Sequence, residues 1–293
     1  MTRQPKPAKS SREAYAAWLL LLPSLLLLIA VRLVPIANGV WQSLLEPVSG
    51  TAGREFGFGN YVFLFTRYPT FYRSVVTTLL LVAVSGAVQT VLAVMMAVLL
   101  AGRRGMGILR TLVLLPLAVP VAASAAVWGI IFRPEGPLNA ILVAIGLGQQ
   151  PFLTTNGQAL FCIVVILSWS VSGYWMTVLA AGLEDIPRPL YEAASIDGAG
   201  PWASFWSITL PMLRRPILFV LVASTVSNFL AFAPTQILTR GGPVGSTNVI
   251  MYEVYTEAYT NYDIGLASAE IVICLLVLGG LVAAQFRMLG AER

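Results

Sequence analysis

Six long apolar runs constrain the fold of this chain more than any other feature of its sequence. They cover approximately residues 14–40, 75–101, 111–132, 158–183, 216–238 and 264–286. About 20 predominantly apolar residues are enough to cross a bilayer as an α-helix, and lipid cannot satisfy the hydrogen bonds of an open backbone. Of the 293 residues, 57% are hydrophobic and 11% are charged, against about 25% charged in soluble domains. The sequence therefore predicts an all-α integral membrane protein with six transmembrane helices.

The first run follows several basic residues, as the apolar core of a secretory signal peptide would. Its apolar core, AYAAWLLLLPSLLLLIAVRLVP, is too long for a signal peptide, and no small-residue cleavage motif follows it. We therefore predict a retained first span. Residues 1–13 form an N-terminal tail in this interpretation, and residues 287–293 form a C-terminal tail.

The basic residues are distributed unevenly between the two sets of connections. With the N-terminus inside the cell, the cytoplasmic set is Arg3, Lys6, Lys9, Arg12, Arg103, Arg104, Arg110, Arg188, Arg214, Arg215, Arg287 and Arg293. The external set is Arg54, Arg67, Arg73, Arg133 and Arg240, with Arg32 near a span end. Short cytoplasmic loops carry an excess of Lys and Arg, so we predict that both termini are cytoplasmic. The net charge of +5 then belongs to a membrane face, and no nucleic-acid partner is expected.

A polar stretch rich in Gly and Pro, YEAASIDGAGPWASFWSITLP at residues 191–211, separates the fourth and fifth runs. Pro187 and Pro189 suit the first turn of a helix over residues 190–197, and Gly198 suits its end because glycine adopts the left-handed conformation. Pro201 can begin a second helix, which we expect Pro211 to end. On the assumed orientation, this loop over residues 187–211 is cytoplasmic.

Two interpretations of this loop remain open on physical grounds. It could be an ordinary polar connection that carries a surface amphipathic helix. It could instead be a docking element, because Ala193 and Ala194 leave one side of the first helix almost bare, which permits the close approach of another surface. Glu192 and Asp197 would offer charge to that surface.

The residues of this loop resemble the cytoplasmic EAA loop of permease subunits of bacterial binding-protein-dependent ABC importers. The resemblance is carried by E-A-A, D-G-A and I-x-L-P motifs at the family spacing: Glu192, Ala193, Ala194, Asp197, Gly198, Ala199, Ile208, Leu210 and Pro211. The resemblance implies the type I importer permease fold, with six spans and a coupling helix between spans four and five. It also implies that these residues transmit the motion of an ATPase.

Two further stretches resemble the carbohydrate-uptake branch of that family. LTRGGPVGSTN, residues 238–248, is similar to the external segment after the fifth span in the larger permease of maltose-type importers and in glycerol-phosphate importer permeases. It implies that Gly241, Gly242 and Pro243 face an extracytoplasmic binding protein. YDIGLASA, residues 262–269, resembles the entry to the last span. Between these two stretches, VIMYEVYTEAY, residues 249–259, has apolar positions that suit a short helix on the membrane surface.

The resemblance also implies a set of partners and a location. The partners are a second permease subunit, two copies of an ABC ATPase subunit and a binding protein, in a bacterial cytoplasmic (inner) membrane. ATP and Mg would be used by the ATPase, and this chain would bind no cofactor. The transported solute would be a sugar, an oligosaccharide or a polyol derivative such as glycerol phosphate.

Polar and aromatic side chains within the runs are candidates for the substrate pathway. They are Gln89, Trp169, Tyr174, Ser224, Ser227, Asn228, Gln236 and Glu270. Polar groups at membrane depth are costly and often functional, but each candidate has another interpretation. The serines and amides could bond a neighbouring helix, the aromatic residues could anchor the membrane interface, and Glu270 could face a polar interface near its span end.

Composition excludes several enzymatic functions. The chain has no histidine and no G-x-x-x-x-G-K-[ST] motif, so we expect neither histidine-dependent catalysis nor ATP hydrolysis by this chain. No catalytic or metal-binding residues are predicted, and Cys162 and Cys274 are interpreted as buried apolar groups. The competing function is a stand-alone secondary carrier or channel for a small polar solute. Such carriers often show inverted repeats of broken helices, which are not visible here.

Overall fold

The computed structural model describes residues 11–47, 53–100 and 107–290. The predicted C-terminal tail at 287–293 begins within a described helix, since Ile264–Gly290 is helical, whereas the predicted N-terminal tail at 1–13 lies mainly outside the described residues. The same is true of the orientation-determining residues Arg3, Lys6, Lys9, Arg103, Arg104 and Arg293.

Helices make up most of the described chain. In chain order they are α1 (Ser11–Leu28), α2 (Val34–Ser43), α3 (Gly59–Thr66), α4 (Pro69–Leu100), α5 (Gly107–Leu114), α6 (Val121–Ile131), α7 (Pro137–Ala144), α8 (Asn156–Glu184), α9 (Arg188–Ile196), α10 (Pro201–Ser204), α11 (Leu210–Met212), α12 (Arg214–Phe229), α13 (Ala233–Leu238), α14 (Ile250–Tyr259) and α15 (Ile264–Gly290). Wide π-helical turns join α1 to α2 (Ile29–Leu33) and α10 to α11 (Phe205–Thr209), and 3-10 turns occupy Leu115–Ala118 and Phe152–Thr154.

Five helical segments of the described ranges are long and apolar enough to cross a membrane. They are Trp18–Ser43, Pro69–Leu100, Asn156–Glu184, Arg214–Leu238 and Ile264–Met288. A sixth crossing is formed only if two helices bent by 99°, Gly107–Ala118 and Val121–Ile131, count together as one span. The helical membrane fold is thus confirmed, with its third span broken and with residues 230–232 of its fifth span outside the helices.

The prediction of one continuous third helix over residues 111–132 is wrong. The helix stops at Ala118, and Val119 and Pro120 have extended backbones. The ring of Pro120 disfavours helical backbone at the residue before it and supplies no N–H for a helical hydrogen bond. The chain therefore turns sharply at this point before α6 begins.

Pro211 does not end the second helix of the loop over residues 187–211, contrary to expectation. The helical path runs from Pro201 through the wide turn at Phe205–Thr209 into α11 and then, after a turn at Leu213, into α12. A wide turn just before the proline accommodates the missing N–H without ending the helical path. The loop is consequently continuous with the fifth span.

A small antiparallel hairpin was not predicted from the sequence. Leu45–Pro47 (β1) pairs with Arg54–Phe56 (β2), with Leu45 opposite Phe56. A Cβ atom at Gly57 or Gly59 would lie 2.0 Å and 1.4 Å, respectively, from a carboxylate oxygen of Glu46. The FGFGN motif thus leaves room for the Glu46 side chain at the start of α3.

The helix predicted at residues 249–259 is present as α14, but it is not an isolated surface helix. Ile250, Glu253, Val254 and Glu257 are buried where α14 packs against α4 and α15. The apolar positions of α14 therefore pack against other helices of the bundle rather than against lipid.

Close helix contacts hold the centre of the bundle, where α8 packs most extensively against α4. The buried apolar side chains here include Ala93, Ala97, Trp175, Leu179 and Val220. Two glycines of α8 permit close approach: a Cβ at Gly173 would lie 2.1 Å from the Val113 carbonyl oxygen, and one at Gly182 would lie 2.7 Å from the Pro216 ring. Cys162 and Cys274 are buried free thiols, as expected.

We predict that Gly173→Leu disrupts the packing of α5 on α8. Its Cβ would collide with the Val113 backbone, and overpacking typically costs about 1–3 kcal/mol or more. The matched control is Gly279→Leu on α15, because a Cβ there meets nothing within 4 Å. Unfolding in mixed micelles would compare the two variants, and equal unfolding free energies would contradict the close contact.

Candidate functional site: the loop between α8 and α12, the bundle interior and the loop after α13

The helix α9 is short, and its end is closely defined by hydrogen bonds. The Ala199 N–H donates to the Ala194 carbonyl at 2.8 Å, and the Gly198 N–H donates to the Ser195 carbonyl at 3.1 Å. Gly198 has φ +81°, the left-handed conformation that this pattern of two closing bonds requires. The predicted role of Gly198 as a helix terminator is confirmed.

The outer surface of α9 is open to solvent. Glu192, Ala193, Asp197 and Gly198 are exposed, and Ala194 and Ala199 are half-buried. Ile196, which was not among the sequence candidates, is 85% exposed. A rigid helix that presents one large apolar side chain between two carboxylates has the properties of a docking element.

A side-chain hydrogen bond ties α9 to the segment that follows it. The Tyr191 and Thr209 hydroxyl groups lie 2.9 Å apart, and Thr209 is buried in the wide turn before α11. The remaining candidates of this loop, Ile208, Leu210 and Pro211, lie on the same turn and on α11. Sequence reasoning missed Tyr191 and Thr209 as a pair, because only the fold brings residues 18 positions apart into contact.

In the bundle interior, two of the pathway candidates form hydrogen bonds with each other. Gln89 on α4 and Asn228 on α12 form two reciprocal side-chain hydrogen bonds of 3.1 Å, and both are buried. Ser224 lies one turn before Asn228 and donates to the Leu221 carbonyl. This geometry matches the alternative of helix-to-helix bonding, and contact with substrate stays a prediction for these residues.

The other pathway candidates are dispersed through the chain. Ser227 is exposed and Gln236 is half-buried, and the 40% exposed Trp169 packs edge-on against Trp128. Tyr174 is 42% exposed and its ring lies 4.8 Å from that of Trp175. Glu270 is fully buried, and neither of its carboxylate oxygens has a hydrogen-bond partner. The structure therefore does not bring the eight candidates into one pocket.

The loop after α13 is a compact turn. Gly241 is buried with φ +80°, and a Cβ there would lie 2.9 Å from the Tyr252 ring. The Thr247 hydroxyl donates to the Gly242 carbonyl at 2.6 Å. The exposed tip comes just after the predicted Gly241, Gly242 and Pro243, at Val244, which is 87% exposed.

A buried polar network fastens α14 below this loop. The Tyr68 hydroxyl bonds Glu253 and also Glu257, the latter at 2.5 Å. Asn248 donates to Glu253 and Asn261 donates to Glu257. Burial, followed by the bonds to the two glutamates, raises the pKa of Tyr68 well above its usual value, so its hydroxyl keeps its proton at ordinary pH.

No group of three or more His, Cys, Asp or Glu side chains in residues 11–47, 53–100 and 107–290 is arranged to hold a metal ion. The main features of this part of the chain are instead an exposed short helix between two spans, a polar bundle interior and a compact loop after α13. These are the features expected of a membrane permease.

Comparison with known proteins identifies the family. Residues 89–291 match the family described as "Binding-protein-dependent transport system inner membrane component", and the chain belongs to it. The chain is 32% identical to the sn-glycerol-3-phosphate transport system permease protein UgpA of Yersinia enterocolitica, over 95% of this chain and 96% of that protein. It is 34% identical to the trehalose/maltose transport system permease protein MalF of Thermococcus litoralis, over 91% of each chain.

A solved structure confirms the fold. The chain is similar to a bacterial ABC transporter involved in the import of the acidic polysaccharide alginate, with a TM-score of 0.79, 22% identity, and coverage of 96% of this chain and 97% of that one. The all-α permease fold is therefore confirmed, and the chain is a multi-pass inner-membrane component.

We predict that the Gln89–Asn228 hydrogen bonds stabilise the contact between α4 and α12, and that the effects of replacing the two residues on the free energy of unfolding are not additive. Gln89→Leu leaves the buried Asn228 amide unpaired, whereas Gln89→Leu combined with Asn228→Leu removes both polar groups. Hydrogen bonds between membrane helices contribute about 0.6 kcal/mol on average and up to about 1.7 kcal/mol. The double variant should therefore be more stable than the sum of the single effects by about this amount, as measured by unfolding in mixed micelles. Strict additivity would contradict the pairing.

Proposed function

We propose that this chain is one permease subunit of an ATP-driven importer for a sugar or a sugar or polyol derivative. It forms half of the translocation pathway together with a second permease subunit, and a binding protein delivers the solute to its external face. Two copies of an ATPase subunit bind at the cytoplasmic face and use ATP and Mg, and this chain itself binds no cofactor. The names of the related permeases support a solute of this class.

The observation that carries this proposal is the geometry of α9. A helix that transmits a rigid-body motion must be exposed to its partner and firmly attached to the spans that move. The outer surface of α9 is exposed, and its end is closed by the hydrogen bonds around Gly198. Its first half is bonded through Tyr191 to Thr209. Thr209 lies on the helical segment that continues into α12.

The spans beside α9 are also closely joined. Gly182 near the end of α8 lies against Pro216 at the start of α12, and Leu213 between them is fully buried. A force on α9 therefore acts on α8 and α12 as one unit. We infer that ATP-driven closure of the ATPase subunits moves these two spans through α9.

We predict that Gly198→Leu lowers ATP-driven uptake by about tenfold, because left-handed backbone costs a non-glycine residue about 1–2 kcal/mol. Gly200→Leu is the matched control: both glycines have open space around them, but only Gly198 has positive φ. Uptake and ATPase activity are measured in proteoliposomes that contain the complete importer.

The proposal fails if Gly198→Leu and Gly200→Leu transport equally well. Replacement of Glu192 together with Asp197 by alanine is a second variant, which removes charge from the docking surface and leaves the helix end intact. Solute flux by the isolated chain, driven by an ion gradient without ATP, would favour the stand-alone carrier instead.

We also propose that both termini and α9 are cytoplasmic, as the distribution of basic residues predicts. Ser195→Cys on α9 should react with a membrane-impermeant maleimide only in inside-out vesicles, and Val244→Cys only in right-side-out vesicles. The native Cys162 and Cys274 are buried, so their background labelling should be low. Labelling of both sites from the same side would contradict this topology.

A further inference from the structure

The fifth span contains an exposed break. α12 ends at Phe229 and α13 begins at Ala233, and the intervening Leu230 is 52% exposed. α12 has 16 residues, so at 1.5 Å per residue the break lies about 24 Å from Arg214. This distance is within a hydrocarbon core of about 30 Å.

Lipid cannot cover such a break. Non-helical backbone at membrane depth occurs only where it is buried in protein or lines a water-filled cavity. The Leu230 and Ala231 N–H groups bond the Val226 and Asn228 carbonyls at 3.3 and 3.2 Å, and the remaining backbone groups of the break need protein or water around them. In secondary transporters, discontinuous helices line substrate sites, which makes this break a candidate part of the transport path.

An aromatic ladder, defined as Phe232, Tyr255 and Tyr259, begins at this break. The ring centroids of Phe232 and Tyr255 are 4.9 Å apart, and those of Tyr255 and Tyr259 are 5.1 Å apart. Tyr255 and Tyr259 are one turn apart on α14, and they are 36% and 67% exposed. The ladder therefore extends a partly open aromatic surface from the break towards the external side.

The charged side chains that share α14 with the ladder are both acidic, which does not favour an anion. Glu253 and Glu257 lie on the same helix as Tyr255 and Tyr259, on its buried face, and every hydrogen-bond partner described for them is a neutral Tyr or Asn side chain. Phosphate and carboxylate groups are typically recognised by Arg or Lys side chains, and the ladder contains neither. Aromatic faces carry a partial negative charge, which favours neutral C–H surfaces.

We propose that the aromatic ladder is a stacking surface for the ring of a neutral saccharide on the transport path. The cargo is then a neutral saccharide rather than a phosphorylated polyol, although relatives that carry either class are similar to this chain. A saccharide ring has apolar faces that pack on aromatic rings, whereas glycerol phosphate has no ring and carries charge. The inference rests on the proposed importer function and narrows its substrate class.

The test uses the complete importer in proteoliposomes, with radiolabelled glucose, maltose and trehalose as neutral probes and sn-glycerol 3-phosphate as the anionic probe. We expect ATP-dependent uptake of at least one neutral saccharide and none of glycerol 3-phosphate. Tyr255→Ala should lower that uptake at subsaturating solute by about tenfold, the upper range for one aromatic contact, and Tyr255→Phe should retain it. Tyr259→Ala should reduce uptake in the same direction.

The matched control is Tyr262→Asn, an exposed tyrosine outside the ladder. Its φ of +58° is one that asparagine tolerates, so uptake should be unchanged. ATPase activity of each variant complex verifies that the complex is assembled and active.

Two results would overturn the inference while the importer function stands. One is a complex with active ATPase that takes up none of the neutral probes, whether or not it takes up glycerol 3-phosphate. The other is unchanged saccharide uptake in both Tyr255→Ala and Tyr259→Ala. Saccharide uptake that needs no ATP but depends on Tyr255 would instead overturn the importer function and leave the ladder in place.

Discussion

The structure of this chain depends on one constraint: lipid supplies no hydrogen bonds to the backbone. The long apolar runs must therefore be helices, and any departure from helix within them needs cover from protein or water. The bend at Val119–Pro120 follows the 3-10 turn at Leu115–Ala118, which packs against α8. The break at residues 230–232 leaves Leu230 exposed in the single chain, and the aromatic surface that we propose for the cargo begins there.

Contacts in several parts of the bundle join its helices into one unit. Glycine and proline define the bounds of α9, and Tyr191 bonds it to the helical segment that continues into the fifth span. Elsewhere, Tyr68, Glu253 and Glu257 hold α14 on the bundle through buried hydrogen bonds. α12 packs on both α4 and α8. In the mechanism that we propose, movement at α9 is therefore carried by packed helices rather than by flexible connections.

Local patterns were sufficient for much of this description. Apolar run length predicted the spans, and the Pro and Gly positions predicted α9 and its left-handed end at Gly198. They failed where the outcome depended on geometry that no short pattern contains. Pro120 breaks a span whereas Pro211 is accommodated by a wide turn, and the hairpin at β1 and β2 has only three residues in each strand.

The sequence by itself determined that the chain is a helical membrane protein, that a polar helix–turn–helix interrupts it between spans four and five, and where basic residues accumulate. These follow from hydrophobicity and backbone preference, which act within a few residues. Only the tertiary structure decided that Gln89 pairs with Asn228, 139 positions away, that Tyr68 meets Glu253, and that Phe232 stacks beside Tyr255. Such contacts depend on how the helices pack, because residues far apart in the chain meet only when the bundle closes.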